Sequence, residues 1–387
     1  MRGGARVLCC KGGGAKRRRA ILGDLSSAFL KKAFKNGGIF EGRSEKTQQN
    51  QGLEMPRKYL MWGGVQHLDW IATLRGIAAL LVFISHLPLD WSYSVGFVIG
   101  RIGVAIFFLM SGYLTVSARE KRNRKQYLLN RLARIYPMYW ILLILMLLVM
   151  DKAELSAGKV LTNFTAFQEF FGYGNILGAS WMLPIQITFF IGVCIFGIRF
   201  ITGKGQTAQR HIILILVMIA SVLVGGLRFY TGKPFPTAFC LLIAVAILGI
   251  NYTDYEKEVI TRVSMISLVI EFEVGLVIAV VLSYTDMIFE YLFAYNVGLI
   301  LFFAAKGFNI YNKFFTKLGE IGFVFFLGAG IPYELITKFI KFDSSLVIQI
   351  VGCLIKFVLA YGFAFLLTRY VEKPILAQTR KTENALK

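Results

Sequence analysis

Long apolar runs recur along this sequence, and they constrain the possible folds more than any other feature. The chain has 387 residues, of which 56% are hydrophobic and only 8 are proline. An apolar run of about 18 or more residues is long enough to cross a bilayer as a helix. The short alternating segments that would signal a membrane-spanning strand barrel are not visible. The sequence therefore predicts an all-α, polytopic membrane protein.

Ten apolar segments can be distinguished, each bounded to within several residues. They lie near residues 71–88, 96–117, 135–150, 181–200, 212–227, 236–252, 263–283, 287–305, 321–340 and 346–368. Most are close to the length that a spanning helix needs. We therefore expect about ten transmembrane helices.

Lysine and arginine concentrate in the loops on one side of the predicted membrane. Loop 118–134 alone carries seven, and this side as a whole, with the C-terminal tail, carries 20. The opposite loops carry six. Because cytoplasmic loops hold the excess of basic residues, the basic side is predicted to be cytoplasmic. Both chain ends then lie inside, and the longest outer loop spans about 151–180.

The first 60 residues differ from the rest of the chain. They are rich in glycine, lysine and arginine, and they contain no apolar core of a secretory signal before a cleavage site. We expect a basic, disordered N-terminal tail over residues 1–60, a transmembrane domain over 61–376 and a cytoplasmic tail over 377–387. Whether residues 1–54 belong to the native protein depends on the true start, for which Met55 and Met61 are alternatives.

The net charge of +21 does not by itself indicate nucleic-acid binding. The basic residues lie mainly in the N-terminal tail and in loops, where membrane proteins keep their cytoplasmic charge. The five cysteines show no spacing typical of a metal site, and no disulfide framework is expected. We therefore expect membrane lipid rather than nucleic acid around this protein, and no metal.

Two ionisable side chains, Arg75 and His86, lie in the first apolar segment. A charge inside a spanning helix costs at least about 2.5 kcal/mol, so such residues are candidates for function. Both project from nearly one face of a helix, about 16 Å apart along its axis. A neutral imidazole can accept a proton from a hydroxyl near neutral pH, although a structural hydrogen bond to a neighbouring helix explains His86 equally well. Arg75 taken alone is better explained as reaching the cytoplasmic headgroups.

Further ionisable residues lie inside apolar segments, among them Arg101, Glu271, Glu273 and Lys356. Small residues follow Arg101 and permit close helix packing, so this arginine can reach an interior cavity. A pairing of Arg101 or Lys356 with one of the two glutamates is plausible, but the sequence does not choose between them.

A basic and aromatic cluster stands at the cytoplasmic start of the third segment. Arg131 and Arg134 are followed closely by Tyr136, Tyr139 and Trp140. One interpretation is an ordinary positive-inside anchor with an aromatic belt, which physics alone favours. The other is a phosphate or pyrophosphate site, because guanidinium groups match phosphate oxygens.

Taken together, these motifs resemble the acyltransferase-3 family of membrane acyltransferases. The run Leu74–His86 is similar to that family's Arg-to-His signature, and the run Gly103–Leu114 to its G-V-x-x-F-F-x-x-S-G-Y-L segment. The run Arg131–Pro137 matches its R-x-x-R-I-x-P motif, and the run Val371–Pro374 resembles its closing E-x-P element. The resemblance covers about residues 67–376.

The resemblance implies a ten-helix core that transfers an acyl group, often acetyl, from an acyl-CoA-type donor to a hydroxyl of a cell-envelope saccharide. It implies His86 as the general base and Arg75, Arg131 and Arg134 as contacts of the donor. Arg101 is a candidate partner for the developing oxyanion. Acyl-CoA would be a co-substrate, no cofactor would be bound permanently, and the protein would lie in the plasma membrane.

Three positions depart from the family pattern. Gln186 stands where glutamate is usual, and it is a second candidate for an oxyanion or charge partner. Ala72 replaces a common acidic residue, with Asp69 one helical turn earlier, and Ala329 stands where a late motif carries histidine. These changes would fit another acceptor, or a slow or inactive copy.

Two other functions fit the same sequence. A non-enzymatic transporter or flippase of a sugar or lipid intermediate would explain the buried charges together with the missing glutamate and histidine. A catalytically degenerate family member could serve as a sensor or scaffold through the basic loop 118–134. The acceptor, the acyl group and the oligomeric state do not follow from the sequence.

Overall fold

The computed structural model describes residues 69–87, 93–152, 155–197, 205–338 and 346–385. All of them belong to one unit of the chain, His67–Lys387. The tail predicted over residues 1–60 lies outside the described residues. Within the described part the regular secondary structure is entirely helical, which confirms the predicted all-α class.

The helices have the following bounds in chain order. They are α1 (Asp69–Ile84), α2 (Tyr93–Glu120), α3 (Arg124–Val149), α4 (Ala157–Thr165), α5 (Leu183–Phe196), α6 (Thr207–Thr231), α7 (Thr237–Glu256), α8 (Arg262–Ser283), α9 (Ile288–Gly307), α10 (Lys313–Glu320), α11 (Gly322–Gly328), α12 (Gly330–Thr337), α13 (Leu346–Leu367) and α14 (Lys373–Ala385). Two 3-10 turns, Gln168–Phe171 and Gly178–Met182, precede α5, and a π-helical turn, Thr368–Glu372, joins α13 to α14.

Eight helical stretches within the described residues are long and apolar enough to cross a membrane. They are Val95–Glu120, Arg124–Val149, Gly178–Phe196, Thr207–Thr231, Thr237–Glu256, Arg262–Ser283, Ile288–Gly307 and Ile348–Thr382. A ninth is added if α10 and the α11–α12 stretch, which meet at a bend of 70°, form one broken span. The described part of α1, at 16 residues, is shorter than a typical span. The sequence predicted about ten spans, and the described residues give eight or nine by length and composition.

Helix α1 is enclosed by other helices rather than lying at the edge of the fold. It packs against α2, α9, α10 and α11, while α2 also packs against α7 and α9. Buried residues occur on all sides of α1, including Trp70, Leu74, Ala79 and Phe83. A helix that is apolar all round is expected to be buried. The helix that carries the first predicted motif therefore runs through the protein interior.

Close backbone contacts fix the rotation of α1. A Cβ atom on Gly76 would lie 1.9 Å from the carbonyl oxygen of Phe315, and one on Gly319 would lie 2.1 Å from that of Ala72. Only glycine allows α1 and α10 to approach this closely. Because α1 cannot rotate in this contact, the direction in which Arg75 leaves the helix is fixed as well.

The second close contact joins α2 to α7. A Cβ atom on Gly112 would lie 1.8 Å from the carbonyl oxygen of Ala246, and one on Gly249 would lie 2.2 Å from that of Leu109. Helices in a bilayer associate chiefly through such packing, because lipid is as apolar as the side chains it contacts. This contact holds the centre of the fold together.

The ionisable residues inside the helices have partners other than those that the sequence suggested. Glu271 Oε1 lies 2.6 Å from His211 Nδ1, and Glu273 accepts a hydrogen bond of 3.2 Å from Asn296. The pairing of either glutamate with Arg101 or Lys356 is thus not the arrangement found. Arg210, which stands just before the predicted segment 212–227, belongs to α6, and the structure buries it completely.

We predict that Gly112→Val will destabilise the protein, because two helix backbones must separate to admit the side chain. Overpacking of a well-packed site costs about 1–3 kcal/mol. The thermal unfolding temperature of the detergent-solubilised protein measures the effect. Gly226→Ala is the matched control, since nothing lies within 4 Å of a Cβ atom at that helical glycine. An equal unfolding temperature for Gly112→Val and wild type would contradict the packing described.

Candidate functional site

His86 lies in the turn that follows α1. The backbone N–H of His86 donates to the Phe83 carbonyl at 3.0 Å, and that of Leu87 donates to the Ile84 carbonyl at 3.1 Å. The His86 side chain is exposed. The sequence predicted a histidine within the first span, toward its outer side. The structure puts this residue just past the end of the helix, where polar molecules can reach the ring.

Hydrogen bonds set the tautomer of His86. Its Nδ1 atom lies 2.8 Å from the Val82 carbonyl oxygen and 3.0 Å from Ser85 Oγ. Because a carbonyl oxygen can only accept, Nδ1 must carry the proton. In the neutral ring Nε2 then has a free lone pair. A general base needs this arrangement, in which one ring nitrogen is anchored and the other is open to substrate.

Gly178 lies beside the imidazole ring of His86. A Cβ atom at Gly178 would lie 3.6 Å from His86 Cδ2 and 3.7 Å from Nε2, which is ordinary van der Waals contact. Gly178 begins the 3-10 turn Gly178–Met182, which closes the predicted outer loop and leads into α5. The end of the outer loop therefore packs next to the ring nitrogen that points away from Val82.

Lys356 of α13 holds the backbone of His86. Its Nζ atom donates to the His86 carbonyl oxygen and lies 4.7 Å from the centroid of the Tyr333 ring. Lys356 is itself buried. A cation near the C-terminal end of a helix satisfies carbonyl groups that have no partner within the helix. This contact therefore ties the end of α1 to α13.

Three arginines that the sequence predicted to contact the acyl donor come together from α1 and α3. Arg75 interacts electrostatically with Arg131 and with Glu372. Arg134, one helical turn after Arg131, interacts with both of these arginines and with Arg380 of α14. We call Arg75, Arg131 and Arg134 the arginine cluster. Like charges held close together attract an anion, and guanidinium groups are well shaped to bind phosphate.

Glu372 is the carboxylate that faces the arginine cluster. It ends the π-helical turn Thr368–Glu372 and interacts electrostatically with Arg134 and Arg75. Its Oε2 atom is buried and makes no hydrogen bond within the part of the chain that the structure describes. π-helical turns are frequent at functional sites. Glu372 belongs to the closing E-x-P element, but the sequence motif alone did not indicate what this carboxylate does.

Neighbouring side chains orient Arg131 and Arg134. The guanidinium carbon of Arg131 lies 5.3 Å from the ring centroid of Tyr127 and 5.0 Å from that of Phe190. Arg134 Nε donates to Asn130 Oδ1 at 3.2 Å. Both arginines are partly buried among protein groups. Both guanidinium groups are thus oriented by protein side chains.

Gln186 belongs to a line of polar groups on the same side of α2. Its Nε2 atom donates to Ser111 Oγ at 3.1 Å. Thr115 Oγ1 donates to the Ser111 carbonyl at 2.7 Å and lies 3.1 Å from the hydroxyl of Tyr127, whose ring faces Arg131. A glutamate in place of Gln186 would accept a hydrogen bond where the glutamine donates one. The polar line thus leads from the glutamine toward the arginine cluster.

Arg101 is held between two aromatic rings. Its guanidinium carbon lies 3.6 Å from the centroid of the Phe97 ring and 4.1 Å from that of Tyr291 on α9. Such cation–π contacts stabilise a desolvated charge. They join α2 to α9, and no hydrogen bond of this arginine to His86 or to the arginine cluster occurs among the described residues.

A cavity of about 420 Å³ opens between the start of α3 and α14. Its walls combine apolar groups with neutral amide and hydroxyl groups and carry no charged side chain among the described residues. They are formed by Gln126, Leu129, Asn130, Ala133, Ile375, Gln378, Thr379 and Thr382. Cavities of about 300–1,000 Å³ commonly bind small molecules. Because Asn130 lines the cavity and also accepts the hydrogen bond from Arg134 Nε, the cavity borders the arginine cluster.

The structure separates most of the residues that the sequence singled out. Arg75, in the middle of α1, comes together with Arg131 and Arg134, whereas His86 lies eleven residues further along the chain than Arg75. Arg101 and Gln186 join neither the arginine cluster nor His86 through a hydrogen bond among the described residues. Sequence reasoning missed Gly178 and the contact of Lys356, and no motif contains either residue. Ser111 and Glu372 both stand within the sequence motifs described above. The motifs could therefore have indicated these two residues, but they do not show which side chains the residues contact.

A family model described as an acyltransferase domain matches residues 68–369, which is most of the chain. The match confirms the resemblance that the sequence motifs indicated. Neither a curated protein nor a solved structure gave a significant match. The matched region ends shortly before Glu372, so the position of this residue in the site rests on its contacts and on the E-x-P element.

We predict that Glu372→Gln will destabilise the protein by about 1–3 kcal/mol, because the arginine cluster loses its carboxylate. Added pyrophosphate should restore much of the lost thermal stability by neutralising the arginines. Thermal unfolding with and without pyrophosphate measures both effects. The control is Glu320→Gln, which removes an exposed carboxylate 3.8 Å from Lys373 and should change little. Equal behaviour of the two variants would show that Glu372 does not balance the cluster.

Proposed function

The chain belongs to the acyltransferase-3 family, and from this membership we propose that it is an O-acyltransferase that moves an acyl group from a cytoplasmic acyl-CoA to a hydroxyl of a cell-envelope saccharide. Family membership supports a membrane acyltransferase in general. The observation that carries the finer proposal is the contact of His86 Nδ1 with the Val82 carbonyl oxygen, 2.8 Å away. With the proton on Nδ1, the Nε2 atom of the exposed ring is the nitrogen that can act as a base for a hydroxyl.

The donor is proposed to bind at the arginine cluster. Coenzyme A carries several phosphate groups, which cannot enter hydrocarbon and need cationic partners. Arg75, Arg131 and Arg134 provide those partners, and the neutral cavity beside them can hold an uncharged part of the donor. The thioester would then extend along α1 toward His86. The donor acts as a co-substrate, and the proposal includes no permanently bound cofactor or metal.

In the chemical step, the acceptor oxygen attacks the carbonyl carbon of the thioester. His86 Nε2 takes the hydroxyl proton as the new carbon–oxygen bond forms. The carbon–sulfur bond then breaks, and the leaving thiolate takes a proton from the imidazolium. Lys356 and Ser85 act as positioning residues, because they contact the backbone and the ring of His86. The proposal gives Arg101 a structural role, since its guanidinium is enclosed by two rings.

We propose a plasma-membrane topology with ten spans and both ends in the cytoplasm. The candidate spans within the described residues, together with α1, support that number. The excess of lysine and arginine in alternate loops supports the orientation. In this orientation the arginine cluster faces the cytoplasm, which supplies the donor. His86 faces the outer side, where an envelope saccharide, acetylated or otherwise acylated, would be modified.

We predict that His86→Gln will lower acyl transfer by about 10²–10⁴-fold, because glutamine keeps the polarity of the site but cannot take the proton. Mass spectrometry of envelope saccharides from cells expressing wild type or variant measures the acyl group added. Lys233→Gln, at an exposed lysine after α6, is the control and should acylate normally.

Normal acylation by the His86→Gln variant would rule out the general-base role. Movement of a saccharide or lipid across the membrane without a covalent mass change would instead favour a transporter. The comparison requires that the variant reaches the membrane in the same amount as wild type. Immunoblotting of isolated membranes measures this amount.

We predict that Arg134→Gln will weaken the binding of coenzyme A at least about tenfold, because a charge-assisted contact with phosphate is lost. Arg134→Lys should recover only part of this loss, since an ammonium group lacks the planar fork of guanidinium. Isothermal titration of the purified protein measures the affinity. Arg228→Gln is the control, because this arginine stacks 4.7 Å from the Tyr284 ring outside the cluster. Unchanged affinity of Arg134→Gln would place the donor elsewhere.

A further inference from the structure

A second cluster of nucleophilic and titratable side chains lies between α6 and α8, and it shares no residue with the proposed acyl-transfer site. His211 of α6 lies with Nδ1 2.6 Å from Glu271 Oε1 and with Nε2 3.3 Å from Ser264 Oγ. Ser264 and Glu271 are seven residues apart on α8, which puts them on one face two turns apart. One imidazole from α6 therefore bridges a hydroxyl and a carboxylate from α8.

The contacts of this cluster fit one set of proton positions. With Glu271 as a carboxylate, which can only accept, His211 Nδ1 is the donor to it. In the neutral ring Nε2 is then an acceptor, and the Ser264 hydroxyl donates to it. This is the order of contacts in which a carboxylate orients a base and the base activates a serine.

We propose that Ser264, His211 and Glu271 form a serine-nucleophile catalytic site that cleaves the ester or thioester of an acyl chain carried in the membrane. The distances fall within the range of an unliganded nucleophile–base–carboxylate arrangement. The family match assigns no role to these residues, and the inference does not depend on the acyl-transfer function proposed above.

The reaction proceeds in two balanced steps. Ser264 Oγ attacks the carbonyl carbon of the ester while its proton passes to His211 Nε2. The bond to the leaving alcohol or thiol breaks, and that group takes the proton from the imidazolium. Water, activated by the same nitrogen, then attacks the acyl-serine, which releases a carboxylic acid and restores the serine hydroxyl.

The start of α8 favours the negative charge that develops in this reaction. Ser264 lies in the first turn of the helix, which begins at Arg262. Amide N–H groups of a first turn lack acceptors within the helix, and the N-terminus carries partial positive charge. Thr261 caps the helix by accepting from the Ser264 N–H at 3.2 Å. The N–H of Ser264 is thus already bonded, and what the helix contributes near the serine is the partial positive charge of its N-terminus.

The surroundings of the cluster indicate an apolar substrate. The side chains of His211 and Glu271 are 20% and 24% exposed, so a molecule outside the protein can reach them. Their neighbours Ile212, Val263 and Ile270 are exposed apolar residues on the same two helices. Such a face contacts lipid in a spanning helix pair. An acyl chain lying in the bilayer can therefore bring its ester to Ser264.

A neighbouring ion pair shows by contrast what a closed structural contact looks like. Arg210 Nη2 lies 2.6 Å from Asp254 Oδ2, with the two side chains 0% and 4% exposed. Arg210 also donates to Asn251 at 2.9 Å. That pair is shut off from solvent and lipid and contains no nucleophile. The His211 cluster differs in both respects, although it lies only one residue further along α6.

The test uses the full-length protein in phospholipid nanodiscs and an alkyl fluorophosphonate probe, which phosphonylates activated serines. Peptide mass spectrometry locates the modified residue, and hydrolysis of p-nitrophenyl decanoate gives the turnover. We expect modification at Ser264 in wild type. Both modification and hydrolysis should fall at least about 100-fold in Ser264→Ala and His211→Gln. Ser283→Ala is the matched control on α8, since its hydroxyl donates to Thr237 at 2.9 Å and should not affect either rate.

Modification of a residue other than Ser264, or no modification of wild type, would overturn the proposal. So would an unchanged labelling rate in His211→Gln, because the serine would then react without its base. Thermal unfolding of each variant separates loss of reactivity from loss of fold. Because wild type alone reveals the modified residue, the outcome does not depend on the folding of any variant.

Discussion

A charge in hydrocarbon must be held by other polar groups, and this constraint organises the interior of the protein. The structure meets it in several ways. Arg210 pairs with Asp254, Arg101 lies between two aromatic rings, and Lys356 donates to a backbone carbonyl. The arginine cluster differs, because it brings three guanidinium groups together, and two of them, those of Arg75 and Arg134, interact with the carboxylate of Glu372. This concentration of positive charge is the physical reason to expect an anionic ligand at this place.

Helix α1 connects the two halves of the proposed site. Glycine contacts with α10 fix its rotation, so Arg75 leaves the middle of the helix toward Arg131 of α3, while His86 follows its C-terminal end. The base is in turn positioned by Ser85 from its own turn and by Lys356 from α13. In the proposed site, the arginine cluster holds the phosphates of the donor and His86 receives the hydroxyl of the acceptor. Helix α1 carries Arg75 and leads to His86, so it sets the distance between the two. This is also why the packing of α1 matters as much as its polar residues.

The cluster of Ser264, His211 and Glu271 obeys the same constraint with a different result. Its three groups contact one another between α6 and α8, and they remain partly exposed. In the proposals made here, the arginine cluster binds a charged molecule from water, whereas this cluster takes an apolar one from the bilayer. The physical difference behind the two proposals is a concentration of guanidinium groups in one place and a carboxylate, an imidazole and a hydroxyl beside exposed apolar side chains in the other.

The sequence by itself determined the features that depend on local patterns. Apolar run lengths predicted the helical class, and the family match confirmed the resemblance that the motifs around Arg75, His86, Arg131 and Arg134 indicated. The sequence did not reveal the partners of these residues. Gly178 beside His86, Glu372 near Arg75 and Glu271 beside His211 are separated by tens to hundreds of residues along the chain. Only tertiary structure decided those contacts, because helix spacing fixes which residues share a face but not which faces of different helices meet.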